Sequence, residues 1–246
     1  MKTIVVIPAR FESSRFPGKP LVRLLGKPMI QWVAELSATA VGQNNVFIAT
    51  DDRQIQKVVL EMGYQVVMTS KSCLTGTDRL AEVAHQVEAD IYINVQGDEP
   101  LVNPEDIIKV IEAKSKHPNE VINCYAIIGN NEDPLNINIP KVIFTEDNRL
   151  VYISRQTLPG FKDRKNEPQI YYKQVCIYAF NRQELLAYGK FGRKSALEQS
   201  EDIEINRFLE WGQTVRLLET RPGSLSVDVP EDVGKVEAAL KQLWGK

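Results

Sequence analysis

Thr3-Ile4-Val5-Val6-Ile7-Pro8 is a compact β-rich run that ends at a proline and opens into the polar stretch Ala9 to Pro20. A buried strand feeding a functional loop reads this way, because a strand covered on both faces needs no apolar/polar alternation. Beyond the loop, Lys27-Pro28-Met29-Ile30 leads into Gln31 to Thr39, where Pro28 suits a first helical turn and Ile30, Val33, Ala34 and Leu36 have helical spacing. Val46 to Thr50 predicts a second strand, and Asp51-Asp52 supplies carboxylates to cap a helix from Arg53 to Met62. A third strand at Gln65 to Met68, a helix at Asp78 to Val87 and a fourth strand at Asp90 to Val95 continue the alternation. Strands that alternate with helices predict a single doubly wound, mostly parallel mixed sheet in an α/β fold, with helices on both faces.

The second half predicts a helix from Pro104 to Ser115, then strands at Val121 to Ile128, Pro140 to Thr145, Leu150 to Ser154 and Ile170 to Phe180. Pro159 to Pro168 holds five charged side chains and is expected as an exposed loop. Glu198 to Trp211 has helical spacing at Ile203, Phe208 and Leu209 with Gly212 as terminator, Val215 to Leu218 predicts a strand, and the last helix starts near Pro230. With no repeat, low-complexity segment or composition shift to mark a linker, residues 1–246 are expected to form one domain.

Charge and composition remove several classes of function. Thirty basic against 32 acidic residues give a net charge of -2, so the global field offers no attraction to nucleic acid and any phosphate site must be local. No run reaches the roughly 18 apolar residues that would span a bilayer, and the start lacks a signal peptide's long apolar segment, so a cytoplasmic location with no membrane partner is expected. Cys73, Cys124 and Cys176 are too scattered for a disulfide framework or a zinc site, and His85 and His117 form no His-Glu-x-x-His pair.

Four stretches carry candidate chemistry. The loop Arg10-Phe11-Glu12-Ser13-Ser14-Arg15-Phe16-Pro17-Gly18-Lys19-Pro20 places three cations after the first strand, where open α/β sheets form ligand crevices. Arginine forks and a lysine point charge suit a triphosphate, although a solvated basic turn would look the same in isolation. Gln96-Gly97-Asp98-Glu99-Pro100 ends the fourth strand in a carboxylate pair, either a capped turn or oxygen ligands for Mg²⁺, with Asp98 the preferred ligand. Val227-Asp228-Val229-Pro230-Glu231-Asp232 offers a second carboxylate, or an ordinary helix start. Thr75-Gly76-Thr77-Asp78-Arg79 turns into a helix whose N-terminal amides and Arg79 suit an anion or nucleotide, and plain capping explains much of it.

Taken with Pro8-Ala9-Arg10, Gly26-Lys27-Pro28-Met29-Ile30, Ala49-Thr50-Asp51 and Ser154-Arg155, these stretches run in order over nearly the whole chain and resemble the 3-deoxy-manno-octulosonate (KDO) cytidylyltransferases, the CMP-KDO synthetases. The resemblance implies a Rossmann-like nucleotidyltransferase fold formed as one cytidylyltransferase domain over residues 1–246. It implies that Arg10, Arg15 and Lys19 grip the CTP triphosphate, that Arg79 and Gln96 contact the nucleotide, and that Asp98 and Asp228 hold Mg²⁺. Lys19, Arg10, Arg15 and Asp98 would then carry catalysis. Arg155, Gln174, Tyr178, Glu201 and Glu204 would lie around the sugar acid, in a homodimer serving lipopolysaccharide or capsule synthesis.

The chain departs from that pattern at two places in the sugar half. Gln174-Val175-Cys176-Ile177-Tyr178 has glutamine where the family usually has histidine, and Glu204-Ile205-Asn206-Arg207 has isoleucine where it usually has glutamine. The expected reaction is transfer of CMP from CTP to the anomeric hydroxyl of a 2-keto-3-deoxy sugar acid with release of pyrophosphate. The alternatives are the same chemistry on an 8-amino-3,8-dideoxy-octulosonate or another ulosonic acid, and a CTP-binding regulator without catalysis.

Overall fold

The computed structural model describes residues 1–13, 16–129, 132–221 and 225–244. The parallel half of its main sheet is built from β1 (Thr3–Pro8), β4 (Val46–Thr50), β5 (Gln65–Met68) and β6 (Ile91–Val95), after the short ribbon of β2 (Arg23–Leu24) and β3 (Lys27–Pro28). The other half contains β7 (Val121–Ile127), β8 (Lys141–Phe144), β9 (Leu150–Ser154), β10 (Tyr172–Phe180) and β11 (Val215–Glu219). Across the sheet the order is β11-β7-β10-β6-β1-β4-β5. β10 runs antiparallel to β6 and β7, the other neighbours along this path are parallel, and β8 and β9 branch from β10 through Lys173 and Lys141.

Helices cover both faces: α1 (Met29–Val41), α2 (Arg53–Glu61), α3 (Gly76–Gln86), α4 (Pro104–Lys116), α5 (Arg182–Lys190), α6 (Ala196–Glu201), α7 (Ile205–Glu210) and α8 (Asp232–Trp244). The two-residue period of a strand explains the division of the core. Ile4 and Val6 point to the face packed by Leu80, Val83, Leu185 and Phe208, while Val5 and Ile7 meet Ile30, Val33, Ile107 and Val110 on the other. A smaller cluster of Leu24, Met29, Val227, Val236 and Leu240 ties α8 to the β2–β3 ribbon and so carries the C-terminal segment back to the loop after β1.

The strands expected from the sequence form within a residue or two of their expected bounds. Asp52 caps α2 by accepting from the backbone amides of Gln54 and Ile55, as its position implied. The expected helix from Glu198 to Trp211 is instead two helices. Asp202 stands in the left-handed region at φ 52°, ending α6 before α7 begins at Ile205. The break lets Glu201 face β9 while Ile203 and Ile205 both enter the core. A helical period fitted across it cannot register a change of chain direction.

β1 connects outward to β4 on one side and has β6 on the other, so the strand order reverses between β1 and β6. A crevice forms outside the strand ends at such a point, because the connecting segments diverge to opposite faces. The loop after β1 and the loop after β6 flank it.

Candidate active site

Lys19 opens a single 3₁₀ turn, Lys19–Leu21, after β1. Its ammonium donates to Asp98 Oδ2 at 2.6 Å and lies 4.0 Å from Asp228 Oδ1. The two carboxylates are 130 positions apart in sequence. A main-chain hydrogen bond from Val227 N to Asp98 O, 3.0 Å, brings their segments together. Gly97 is required by the same close approach, since a Cβ there would stand 2.9 Å from the Pro8 carbonyl oxygen. The fold therefore brings both acids to one point, beside the Lys19 ammonium.

The crevice has a volume of ≈ 920 Å³. Arg10, Lys19, Gln96, Asp98 and Asp228 line it together with Arg155, Gln174, Tyr178 and Glu204. Arg10 is exposed and has no hydrogen-bond partner among the described residues, though its charge helps to hold the Asp202 carboxyl below its ordinary value, after the larger effect of the Lys194 hydrogen bond. Arg15 lies outside the described residues.

Several expected contacts are already taken up within the protein. Arg79 is buried, donating to Thr69 Oγ1 at 2.6 Å and to the Ser70 carbonyl at 3.3 Å, with Asp51 3.2 Å away, so this guanidinium shapes the crevice wall with its donors turned inward. The amides at the start of α3 are likewise engaged: Thr77 N donates to Glu204 and Asp78 N to Thr75. Glu201 is absent from the crevice lining. Its carboxylate accepts from Tyr152 OH, Ser154 Oγ and Arg155 N, fastening α6 to β9. Three donors from β9 and the residue after it hold this carboxylate, so most of its acceptor capacity is committed to the fold.

Arg155 keeps a place on the rim while donating to the carbonyls of Glu201, Ile137 and Asp202 at 2.6, 3.1 and 3.3 Å. Gln174 Nε2 donates to Asn123 Oδ1 at 3.0 Å and to Tyr178 OH at 3.4 Å, which fixes a polar patch on β10. Burial pushes the Tyr178 hydroxyl well above its ordinary value, keeping it a neutral donor and acceptor. Glu204 is also raised by burial, opposed by hydrogen bonds from Thr77 and Thr75. The Cys73 thiol is pushed up to about 12 by burial and then by Glu82, so a resting thiolate is disfavoured there.

The network beneath the site escaped the sequence reading. Arg207, fully buried, donates to Glu198 at 2.6 and 2.7 Å and to Asp78 at 2.8 and 3.3 Å, with its guanidinium carbon 3.7 Å from the Tyr188 ring centre. These bonds join the N-terminus of α3 to α6 and α7. Lys141, also fully buried, donates to the carbonyls of Arg155 at 2.6 Å and Asn136 at 3.0 Å, holding the rim segment before β8. The available signal was a charged residue within an otherwise apolar helix or strand, but a solvated charge gives the same sequence pattern.

Fold and site together define an α/β nucleotidyltransferase: a crevice at a topological switch point, with cations on the loop after the first strand and paired acids opposite. A family model described as cytidylyltransferase matches residues 4–216, and the chain belongs to that family. A 3-deoxy-manno-octulosonate cytidylyltransferase of Trichlorobacter lovleyi is 39% identical over 252 residues, covering 98% of this chain and 100% of that relative. An 8-amino-3,8-dideoxy-manno-octulosonate cytidylyltransferase of Shewanella oneidensis is also 39% identical, over 98% of this chain and 99% of its own length. Among solved structures, a CMP:2-keto-3-deoxy-manno-octonic acid synthetase complexed with CTP superposes with a TM-score of 0.90 at 37% identity, covering 99% of this chain and all of that one. Among the described residues, no helix is long and apolar enough to cross a membrane.

Proposed function

We propose that this chain transfers CMP from CTP to the anomeric hydroxyl of a 2-keto-3-deoxy sugar acid of the octulosonate type, releasing pyrophosphate. The observation that carries the reading is the convergence of Asp98 and Asp228 on the Lys19 ammonium at the mouth of β1 and β6. Arg10, Arg15 and Lys19 hold the triphosphate, and Lys19 stabilises charge on the phosphoryl oxygens as the hydroxyl attacks the α-phosphorus. Pyrophosphate departs toward the basic loop, and no covalent enzyme intermediate is needed. Gln96 faces the bound substrates, with Arg79 supporting the nucleotide half from the wall behind. Arg155, Gln174 and Tyr178 orient the sugar acid.

Mg²⁺ suits the acid pair. Two hard carboxylates converge on the Lys19 ammonium, and an ion held by them would take its other ligands from substrate phosphates and water. Bound there, it would supply charge neutralisation at the triphosphate. The protein would act as a cytoplasmic homodimer and as a single catalytic domain. Exposed Leu135, Ile137, Val151 and Ile170 around the β8–β9 arm support the dimer, which sedimentation would check.

A second reading keeps the chemistry and changes the acceptor to an 8-amino octulosonate. Of the acids that line the crevice, Glu132 pairs with Lys173 and Asp202 with Lys194, while Asp133 has no ion pair among the described residues and would favour an ammonium over a hydroxyl. Purified protein with CTP, Mg²⁺ and competing sugar acids, followed by mass spectrometry of CMP adducts, tests both. Preference for the unmodified octulosonate removes the second reading, and CTP binding without any adduct removes both.

A further inference from the structure

Gln96 directly follows β6, the strand between β1, with its basic loop, and β10, with Gln174 and Tyr178. Its Nε2 donates to Glu204 Oε1 at 2.9 Å, and the second oxygen of Glu204 accepts from Thr77 N at 2.9 Å. The structure sets the donor end of the amide, Nε2, against one Glu204 oxygen while the backbone amide of Thr77 engages the other, so both oxygens serve as acceptors and Oε1 of Gln96 is turned away from them. The amide is also confined sterically. A Cβ at Gly76 would lie 3.0 Å from Gln96 Nε2 and 3.1 Å from Pro8 Cγ, so glycine leaves the space in which the amide lies. Among the described residues nothing donates to Gln96 Oε1, and Gln96 lines the crevice.

We propose that Glu204 is a positioning residue: it fixes the polarity of the Gln96 amide, so that Oε1 stands as a dedicated hydrogen-bond acceptor for a hydroxyl of the sugar acid. The family resemblance implies a place at the sugar for Glu204 and at the nucleotide for Gln96; here Glu204 acts through Gln96, whose amide oxygen serves the sugar side. The inference rests on the proposed transferase reading and deepens it. A site built to accept from a substrate hydroxyl discriminates strongly, because an amide turned the wrong way presents donor to donor.

The test is a charge swap. In Glu204→Gln, Thr77 N holds the oxygen of the new amide, whose NH₂ then meets Gln96 and turns that amide around, so that Nε2 rather than Oε1 faces the crevice. The KM for the sugar acid should rise by roughly tenfold or more while the KM for CTP stays within about twofold, which also reports intact folding. In Gln96→Glu, two carboxylates abut and activity falls. In the double variant, the new amide at position 204 accepts from Thr77 N and donates to the new carboxylate at position 96, whose other oxygen again faces the crevice. The double variant should therefore recover to within about threefold of the wild-type kcat/KM, far above either single change. An unchanged acceptor KM in Glu204→Gln, or a double variant no better than the product of the singles, overturns the proposal.

A second measurement does not depend on turnover. The Gln96 side-chain NH₂ resonance of ¹⁵N-labelled protein, assigned by its loss in Gln96→Glu, should exchange slowly with water in wild type and faster in Glu204→Gln. Equal exchange overturns the placement. Absence of CMP transfer by the wild-type protein would instead strike the transferase reading, leaving the exchange result to decide the amide's polarity.

Discussion

Replacing Arg207 by methionine removes a guanidinium that makes four hydrogen bonds to two acids, Glu198 and Asp78. The cost follows from what is left behind. Glu198 is fully buried, its side chain 1% exposed, and that of Asp78 is 12% exposed, so neither recovers full hydration when the cation goes. Tyr188 OH donates to Glu198 and Thr75 Oγ1 to Asp78, which offsets part of the loss. Breaking a buried ion network by deleting one partner costs about 3–5 kcal/mol, mostly from the stranded charge. For a chain of this size a change of 1 kcal/mol shifts Tm by about 2 °C, so Arg207→Met should melt about 6–10 °C lower. Lysine cannot reproduce the fork and should rescue little. Glu198→Gln added to Arg207→Met removes the more buried stranded charge and should recover part of the loss. Differential scanning fluorimetry and chemical denaturation measure both. A shift under about 2 °C for Arg207→Met would refute the reasoning, as would a double variant that melts lower still.

Asp98→Asn should lower turnover about a thousandfold, roughly 4 kcal/mol of barrier, yet cost about 1 kcal/mol or less of stability, since the Lys19–Asp98 pair is partly solvated; near-normal pyrophosphate release would remove Asp98 from the mechanism. Lys141→Met should destabilise the protein by about 2–3 kcal/mol and raise the sugar-acid KM more than the CTP KM, because it leaves the Asn136 and Arg155 carbonyls without their donor; equal effects on both KM values would deny it a role at the rim. The hydrogen bond from Arg216 holds the Glu120 carboxyl below its ordinary value, despite some burial. That stabilisation is complete above the ordinary value of 4.5 and is lost as pH falls through the depressed folded value. Glu120→Gln should therefore be less stable by up to about 1 kcal/mol at neutral pH, with the gap to wild type closing in acid melts; a gap independent of pH would contradict this.

Local signals were enough for much of the fold. The apolar run Thr3–Pro8, the capping acid Asp52 and the strand runs at 46–50, 65–68 and 91–95 each act through nearest neighbours in sequence, and each took the expected form. The grouping of Lys19 with Asp98 is of another kind: β1 and β6 are separated in sequence by β4 and β5, and only the strand order β6-β1-β4-β5 sets the loops after them side by side. The reading failed where a helical period was carried across the left-handed Asp202, because period alone carries no information about a change of direction. It also assigned Glu201 to the crevice, when the amide and hydroxyls of β9 had claimed it.

Sequence by itself determined the alternation of strands and helices, the loops that follow β1 and β6, and which residues carry the charge there. Only the tertiary structure decided which charges remain available. Arg79, Glu201 and Arg207 are as polar in sequence as Arg10 or Asp98, but burial makes an unpaired charge costly, and partners on other elements complete their hydrogen bonds inside the fold. Whether an acid or base serves the fold or faces the crevice depends on packing between separate elements, as where Glu201 meets Ser154 across 47 positions and Arg207 meets Asp78 across 129, and residue spacing carries no signal of such contacts.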